Sequence, residues 1–345
     1  KDSPAEQGGL MAGDIIKRID GVDISGMTTD EISELALGDD GTVVNIEVMR
    51  DGEVLSFDIV RAAIDATTYA YSEDDHVVLD IDSFGMNTYN ECIHYLEDYR
   101  DYEKLIIDLR DNTGGYQTSV QEVAHLFLGD DVLVMSQEFK DGRREEYYTV
   151  GSEYYDNFKE VVVLVNEHTA SAAEVLANAL KEQHPNTTLM GTTTFGKGVV
   201  QTSLVLDDGS VLKVTTSKWL SPNGEWINGE GINPDIEVLL DDILYETYTM
   251  MEDGDVLTLD SVSPFNILAS ESLEFLGYDI ARKDGYFDES LQAAISAFQA
   301  DKGFEVTGEL DSVTYETIIS NVIKEWAMNP QKDRQMLEAI AYISE

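Results

Sequence analysis

The chain has 345 residues, 43% of them hydrophobic, which is enough for two or three domains with real cores, and no apolar run approaches the roughly 18 residues of a membrane helix. Acidic residues number 68 against 22 basic, a net charge of -46 that would repel nucleic-acid phosphates and anionic lipid, so no nucleic-acid partner is expected. Cys92 is the single cysteine and excludes an intrachain disulfide. The chain opens at Lys1 without Met or a signal peptide, and is expected to begin inside a domain with any targeting segment beyond it.

Three blocks follow in chain order. In the first, residues 1–62, Ser3-Pro4-Ala5-Glu6 caps a short helix ending at Gly8-Gly9. Leu10 to Gly21 reads as a strand and turn, and Thr28 to Leu37 as a helix with Thr29 and Asp30 as N-cap candidates. Val43 to Met49 and Val54 to Val60 alternate around Asp51-Gly52, a hairpin signal. The second block, residues 63–258, opens with a strand at Val77 to Ile81 and a helix from Asn87 to Tyr99. Leu105 to Leu109 and Val161 to Val165 are short apolar runs of the kind found in buried parallel strands. The first ends in Arg110-Asp111-Asn112-Thr113-Gly114-Gly115, the second leads to Ser171 and a helix. A strand, a tight turn and a helix aim backbone amides at one point, a geometry suited to an oxyanion. Val199 to Leu206 and Ser210 to Ser217 form a hairpin about Asp207-Asp208-Gly209.

Ser171 stands between alanines at an apparent helix start, and Lys197 follows on a turn flanked by Gly196 and Gly198. A serine hydroxyl needs a base within hydrogen-bond reach, and a neutral lysine can be that base. An unperturbed lysine near 10.4 is only about a thousandth deprotonated at pH 7.4. Lys197 is therefore expected to be buried, with no carboxylate against its amine. The histidines offer a competing Ser-His arrangement through His168 or His125, although no Gly-x-Ser-x-Gly elbow is present. No metal or other cofactor is expected: there is no His-Glu-x-x-His and no cysteine cluster, and Asp74-Asp75 and Asp207-Asp208 read as acidic turns.

Four motifs in order carry a family resemblance: Asp108-Leu109-Arg110-x-Asn112-x-Gly114-Gly115, Ala170-Ser171-Ala172-x-Glu174, Phe195-Gly196-Lys197-Gly198-x-Val200-Gln201, and Gly231-Ile232-x-Pro234-Asp235. The second block resembles the C-terminal processing peptidases, also called tail-specific proteases. The stretch from Ser171 to Lys197 is one residue longer than usual. The resemblance implies Ser171 as nucleophile, Lys197 as general base and Gln201 as the residue that orients it. Gly114 or Gly115, with the amide of Ala172, would form the oxyanion hole. The first block resembles a PDZ domain through Ser3-Pro4-Ala5 and Gly9-Leu10-x-x-Gly13-Asp14, which implies peptide binding near Gly9 and Leu10. The strand and carboxylate loop that precede this helix in such domains are absent. The third block, residues 259–345, resembles the peptidoglycan-binding-like three-helix domain through Asp284-Gly285-Tyr286-Phe287-Asp288, Leu291, Ile295, Phe298-Gln299 and Gly308-Glu309-Leu310-Asp311. A last helix from Arg334 to Ile343 offers Met336, Ile340 and Ile343 to another chain, a homodimer contact.

The expectation is a mixed α/β, multidomain serine endopeptidase, bacterial, secreted or on the extracytoplasmic face of the cell envelope. Its partners would be unfolded or tail-exposed protein substrates, and cell-wall peptidoglycan. The alternatives are a catalytically silent module binding peptide ends and cell wall, and a Ser-His hydrolase.

Overall fold

The computed structural model describes residues 3–63, 67–206 and 209–344; the Asp207-Asp208 turn lies outside them. The chain divides into two compact units, Lys1–Ile64 with Leu240–Asp333, and Asp65–Leu239 with Arg334–Glu345.

The first unit begins with helix α1 (Pro4–Gln7), β1 (Ile15–Ile19), β2 (Val22–Asp23), α2 (Thr29–Ala36), β3 (Val43–Arg50) and β4 (Glu53–Val60). The strands form a sheet in the order β2-β1-β3-β4. The N-cap of α2 is Thr28, not Thr29 or Asp30, because Thr28 and Glu31 satisfy each other's backbone amides in a capping box. Ile19, Val44, Ile46, Val48 and Ile59 form the small core beneath it.

In the second unit the chain runs through β5 (Thr68–Glu73), β6 (His76–Ile81), α3 (Thr88–Leu96), β7 (Lys104–Asp108), α4 (Gln117–Leu128), β8 (Leu133–Phe139) and β9 (Arg144–Tyr148). It continues through β10 (Glu160–Val165), α5 (Ala172–Gln183), β11 (Thr187–Gly191), β12 (Val199–Val205), β13 (Val211–Leu220) and β14 (Ile236–Glu237). One sheet has the order β14-β11-β10-β7-β6-β5, with β5 alone antiparallel to its neighbour. A second sheet has the order β12-β13-β8-β9. Alternation along the parallel strands sets the two faces. Val77, Leu79, Leu105, Ile107, Val161 and Val163 point into the core with α3, α4 and α5, while Val78, Ile106, Val162 and Leu164 point the other way.

The rest of the first unit is β15 (Val256–Leu257), α6 (Pro264–Phe275), α7 (Glu289–Lys302), β16 (Leu310–Asp311) and α8 (Ser312–Met328). Leu273, Phe287, Leu291, Ile295, Phe298, Tyr315 and Ile318 fill the space between these helices. The helices join the β1–β4 sheet through Lys17 Nζ, 2.7 Å from Glu316, and through Ser320 Oγ, which donates to Gly13 O at 2.6 Å.

The last helix, α9 (Arg334–Ser344), belongs to the second unit. The apolar face expected to meet another chain lies on this chain's own sheet: Ala339 and Ile343 are buried against Val78, Ile106, Val162 and Met190. A sheet flanked on one side by α3–α5 leaves an apolar second face, and α9 covers it.

Candidate active site

Strands β7, β10 and β11 run parallel and release three loops from their carboxyl ends, the edge at which open α/β sheets bind ligands. The loops are knitted together by buried polar groups. Thr169 Oγ1 donates to Leu109 O (2.7 Å), the Ala170 amide to Asn112 O (2.9 Å) and the Phe195 amide to Thr169 O (3.0 Å). Asn112, fully buried, donates from Nδ2 to Ile81 O (2.6 Å) and accepts from the Gly114 amide (2.8 Å).

Ser171 caps α5 with φ 57° and ψ -117°, a conformation that side chains rarely adopt and that costs on the order of 1–3 kcal/mol. Glu174 holds it there. The Glu174 carboxylate is 0% exposed and accepts four hydrogen bonds. They come from the Ser171 amide (2.9 Å), Thr194 Oγ1 (2.6 Å), the Gly196 amide (2.7 Å) and the Lys197 amide (2.9 Å). One buried side chain thus ties the serine turn to the lysine loop. Indole groups fix that loop from the other side: Trp219 Nε1 donates to Lys197 O (2.6 Å) and Trp226 Nε1 to Gly198 O (2.7 Å).

The two glycines after β7 differ in what their amides do. A Cβ on Gly114 would sit 2.8 Å from Ser171 Cβ and 2.9 Å from the Ala172 amide, so only glycine lets this loop reach the serine turn. The Gly114 amide is committed to Asn112 Oδ1. Among the described residues, no backbone acceptor is found for the amides of Gly115 and Ala172.

A cavity of about 380 Å³ gathers the predicted residues. Ser171, Ala172, Lys197, Gln201 and Gly115 all line it, over a wall that includes Val120, Met135, Val175 and Trp219. Lys197 is half-buried rather than buried, and among the described residues no ion pair uses its ammonium. No hydrogen bond joins Ser171 Oγ, Lys197 Nζ and Gln201 among those described; they share the cavity, and Gln201 is exposed. Neither His168 nor His125 lines it. His168 is exposed, while His125 is buried between Glu153 O (2.8 Å) and Asp130 Oδ1 (2.8 Å). Gly9 and Leu10 belong to the first unit, where their amides donate to Glu6 O (3.0 Å) and Ala5 O (2.9 Å) in the turn after α1.

Behind the site, Arg110 Nη2 pairs with Asp108 Oδ2 at 2.6 Å, and Asp80 lies level with Asp108 on the neighbouring strand. Burial, reinforced by Asp108 and Asp82 and opposed by Arg110, pushes the Asp80 carboxyl up to about 7. The Gly231–Asp235 motif is a brace: the Ile232 amide donates to Thr194 Oγ1 (2.8 Å), and Asp235 Oδ2 accepts from the Leu189 amide (2.9 Å). The Ala170–Glu174 motif gives Glu174 no task in sequence, and nothing local marks Trp219 or Trp226 as partners of the lysine loop. Indole N–H groups on a strand and a loop after Lys197 were the available signal.

The fold is that of the S41 proteases: an S41 protease of Bacteroides fragilis superposes with a TM-score of 0.53 at 20% identity, over 71% of this chain and 70% of that one. The sequence profile of Peptidase family S41 matches residues 75–238, that of a PDZ domain residues 1–50, and that of a peptidoglycan binding domain residues 268–318. The carboxy-terminal processing protease CtpA of Bacillus subtilis is 33% identical over 346 residues, covering 99% of this chain and 72% of its own. A CtpA-like serine protease of Staphylococcus haemolyticus is 30% identical over 319 residues, covering 92% of this chain. The chain spans 64% of that relative's length and 66% of its Staphylococcus epidermidis counterpart's. This chain belongs to peptidase family S41, the C-terminal processing peptidases.

Proposed function

We propose that this protein is a serine endopeptidase that cuts protein chains presented by their C-termini, with Ser171 as nucleophile and Lys197 as general base. The observation that carries the reading is the single cavity onto which three separate motifs deliver Gly115, Ser171, Ala172, Lys197 and Gln201. Lys197 Nζ, in its neutral form, takes the Ser171 Oγ proton as Oγ attacks the scissile carbonyl. The amides of Gly115 and Ala172 receive the developing oxyanion, since the Gly114 amide is already spent on Asn112. The lysine then gives its proton to the leaving amine and activates the water that hydrolyses the acyl-enzyme. Gln201 orients the Lys197 amine from the strand that leaves the lysine loop.

The relatives' names, carboxy-terminal processing protease and CtpA-like serine protease, support protein tails as substrates. The peptidoglycan binding profile supports a place in the bacterial envelope, on its extracytoplasmic face. The test is cleavage of an unfolded protein with an apolar C-terminus by wild type, Ser171→Ala, Lys197→Ala, His168→Ala and His125→Ala. Loss in the first two variants with retention in both histidine variants is expected. Full activity in Lys197→Ala would overturn the assignment of the base.

A further inference from the structure

The Ser171 cavity is free of the acidic residues that dominate the molecule. Acidic residues occupy 68 of 345 positions. At that frequency fourteen lining residues would include about three, and the fourteen here include none. Two lysines line it instead, Lys197 and Lys213. Lys213 is exposed and, among the described residues, makes no hydrogen bond or ion pair through its ammonium. In a chain with a net charge of -46, an unpaired cation on the nucleophile's cavity calls for a ligand.

The hairpin register places it. Gln201 lies opposite Thr215 and Ser203 opposite Lys213, so all four side chains share one face of the β12–β13 hairpin. Gln201 and Lys213 both line the cavity, so both stand on the side of the hairpin that borders Ser171. Lys213 then stands two residues, roughly 7 Å, further along the hairpin than Gln201. An extended substrate whose C-terminal side runs along this face, with its scissile bond level with Gln201, would reach the lysine about two or three residues past that bond.

We propose that Lys213 receives a substrate carboxylate, that of the chain's own C-terminus, so that the enzyme releases short C-terminal fragments. The inference rests on Ser171 and Lys197 acting as described above. An ammonium suits a single carboxylate approached from solvent, because its flexible stem can follow the chain end as fragment length varies.

The test uses three peptides of one sequence cut by the whole chain: one ending in a free acid three residues past the scissile bond, its C-terminal amide, and the amide with glutamate as last residue. Wild type is expected to favour the free acid over the plain amide by about tenfold in kcat/KM, a difference of about 1.4 kcal/mol. Lys213→Ala should bring that ratio close to one, and Lys213→Arg should restore it. A ratio that survives in Lys213→Ala overturns the proposal, because the chain end is then read elsewhere. Equal cleavage of acid and amide by wild type overturns it too, and a glutamate amide as good as the free acid overturns the assignment to the chain end. Cleavage that persists in Ser171→Ala, or wild type that cuts none of the three, sinks the peptidase reading itself and this inference with it.

Discussion

Glu174 places four donors around two oxygens, and no neutral replacement can do so. In Glu174→Gln the amide nitrogen would face two N–H or O–H donors whichever way it turned. The expected cost is about 2–3 kcal/mol in urea unfolding, with peptidase activity falling at least tenfold as the Ser171 turn and the Lys197 loop part. Unchanged activity in a folded Glu174→Gln protein would remove it from the site's scaffold. A second prediction concerns Asp80, whose carboxyl ordinarily titrates near 3.8 and is raised to about 7. The native chain thus holds a proton that the unfolded chain gives up as pH climbs from about 4 to about 7. Stability from the neutral carboxyl is full below that window and lost as pH rises through it. Asp80→Asn, which fixes the neutral form, should raise Tm at pH 8 and leave it level with wild type at pH 4; equal shifts at both pH values would contradict the account. Ser171, Lys197 and Gln201 stand in local motifs and can be singled out from sequence, and the structure gathers them on one cavity. Glu174's four partners span residues 171 to 197, and the division of labour between Gly114 and Gly115 depends on the rotamer of Asn112. Neither is written in spacing.

At the scale of elements, three of the parallel strands, β6, β7 and β10, are apolar runs in the sequence because they are buried on both faces, whereas the parallel β11 and β14 carry no such run. Helix α9 is a different case. Its apolar stripe was visible, but a stripe does not say which surface it meets, and the uncovered sheet face existed only once the strands had assembled. Ile343 is 1% exposed and packs on that face with Ala339. Ile343→Ala should cost about 2 kcal/mol, near the lower end for buried aliphatic truncations because the helix is terminal. Urea unfolding followed by tryptophan fluorescence measures it, through Trp219 in the core of the same unit. A midpoint equal to wild type would mean that α9 is not part of the unit's cooperative fold.

For the whole molecule, a net charge of -46 sets a self-repulsion that compactness must overcome. Added salt screens it over about 10 Å at 0.1 M, so Tm should rise between about 0.01 and 0.15 M NaCl. A falling Tm would mean that ion pairs such as Lys17–Glu316 outweigh the repulsion. Composition made this charge plain but not its distribution, which spares the Ser171 cavity entirely. Catalysis by this molecule rests on the proposed division of labour between Ser171 and Lys197. Its most direct test is mass spectrometry of enzyme quenched in acid during turnover of a peptide ester. An acyl group on Ser171 is expected in wild type and none in Lys197→Ala. An acyl group on another residue, or one formed at the wild-type rate without Lys197, would contradict it.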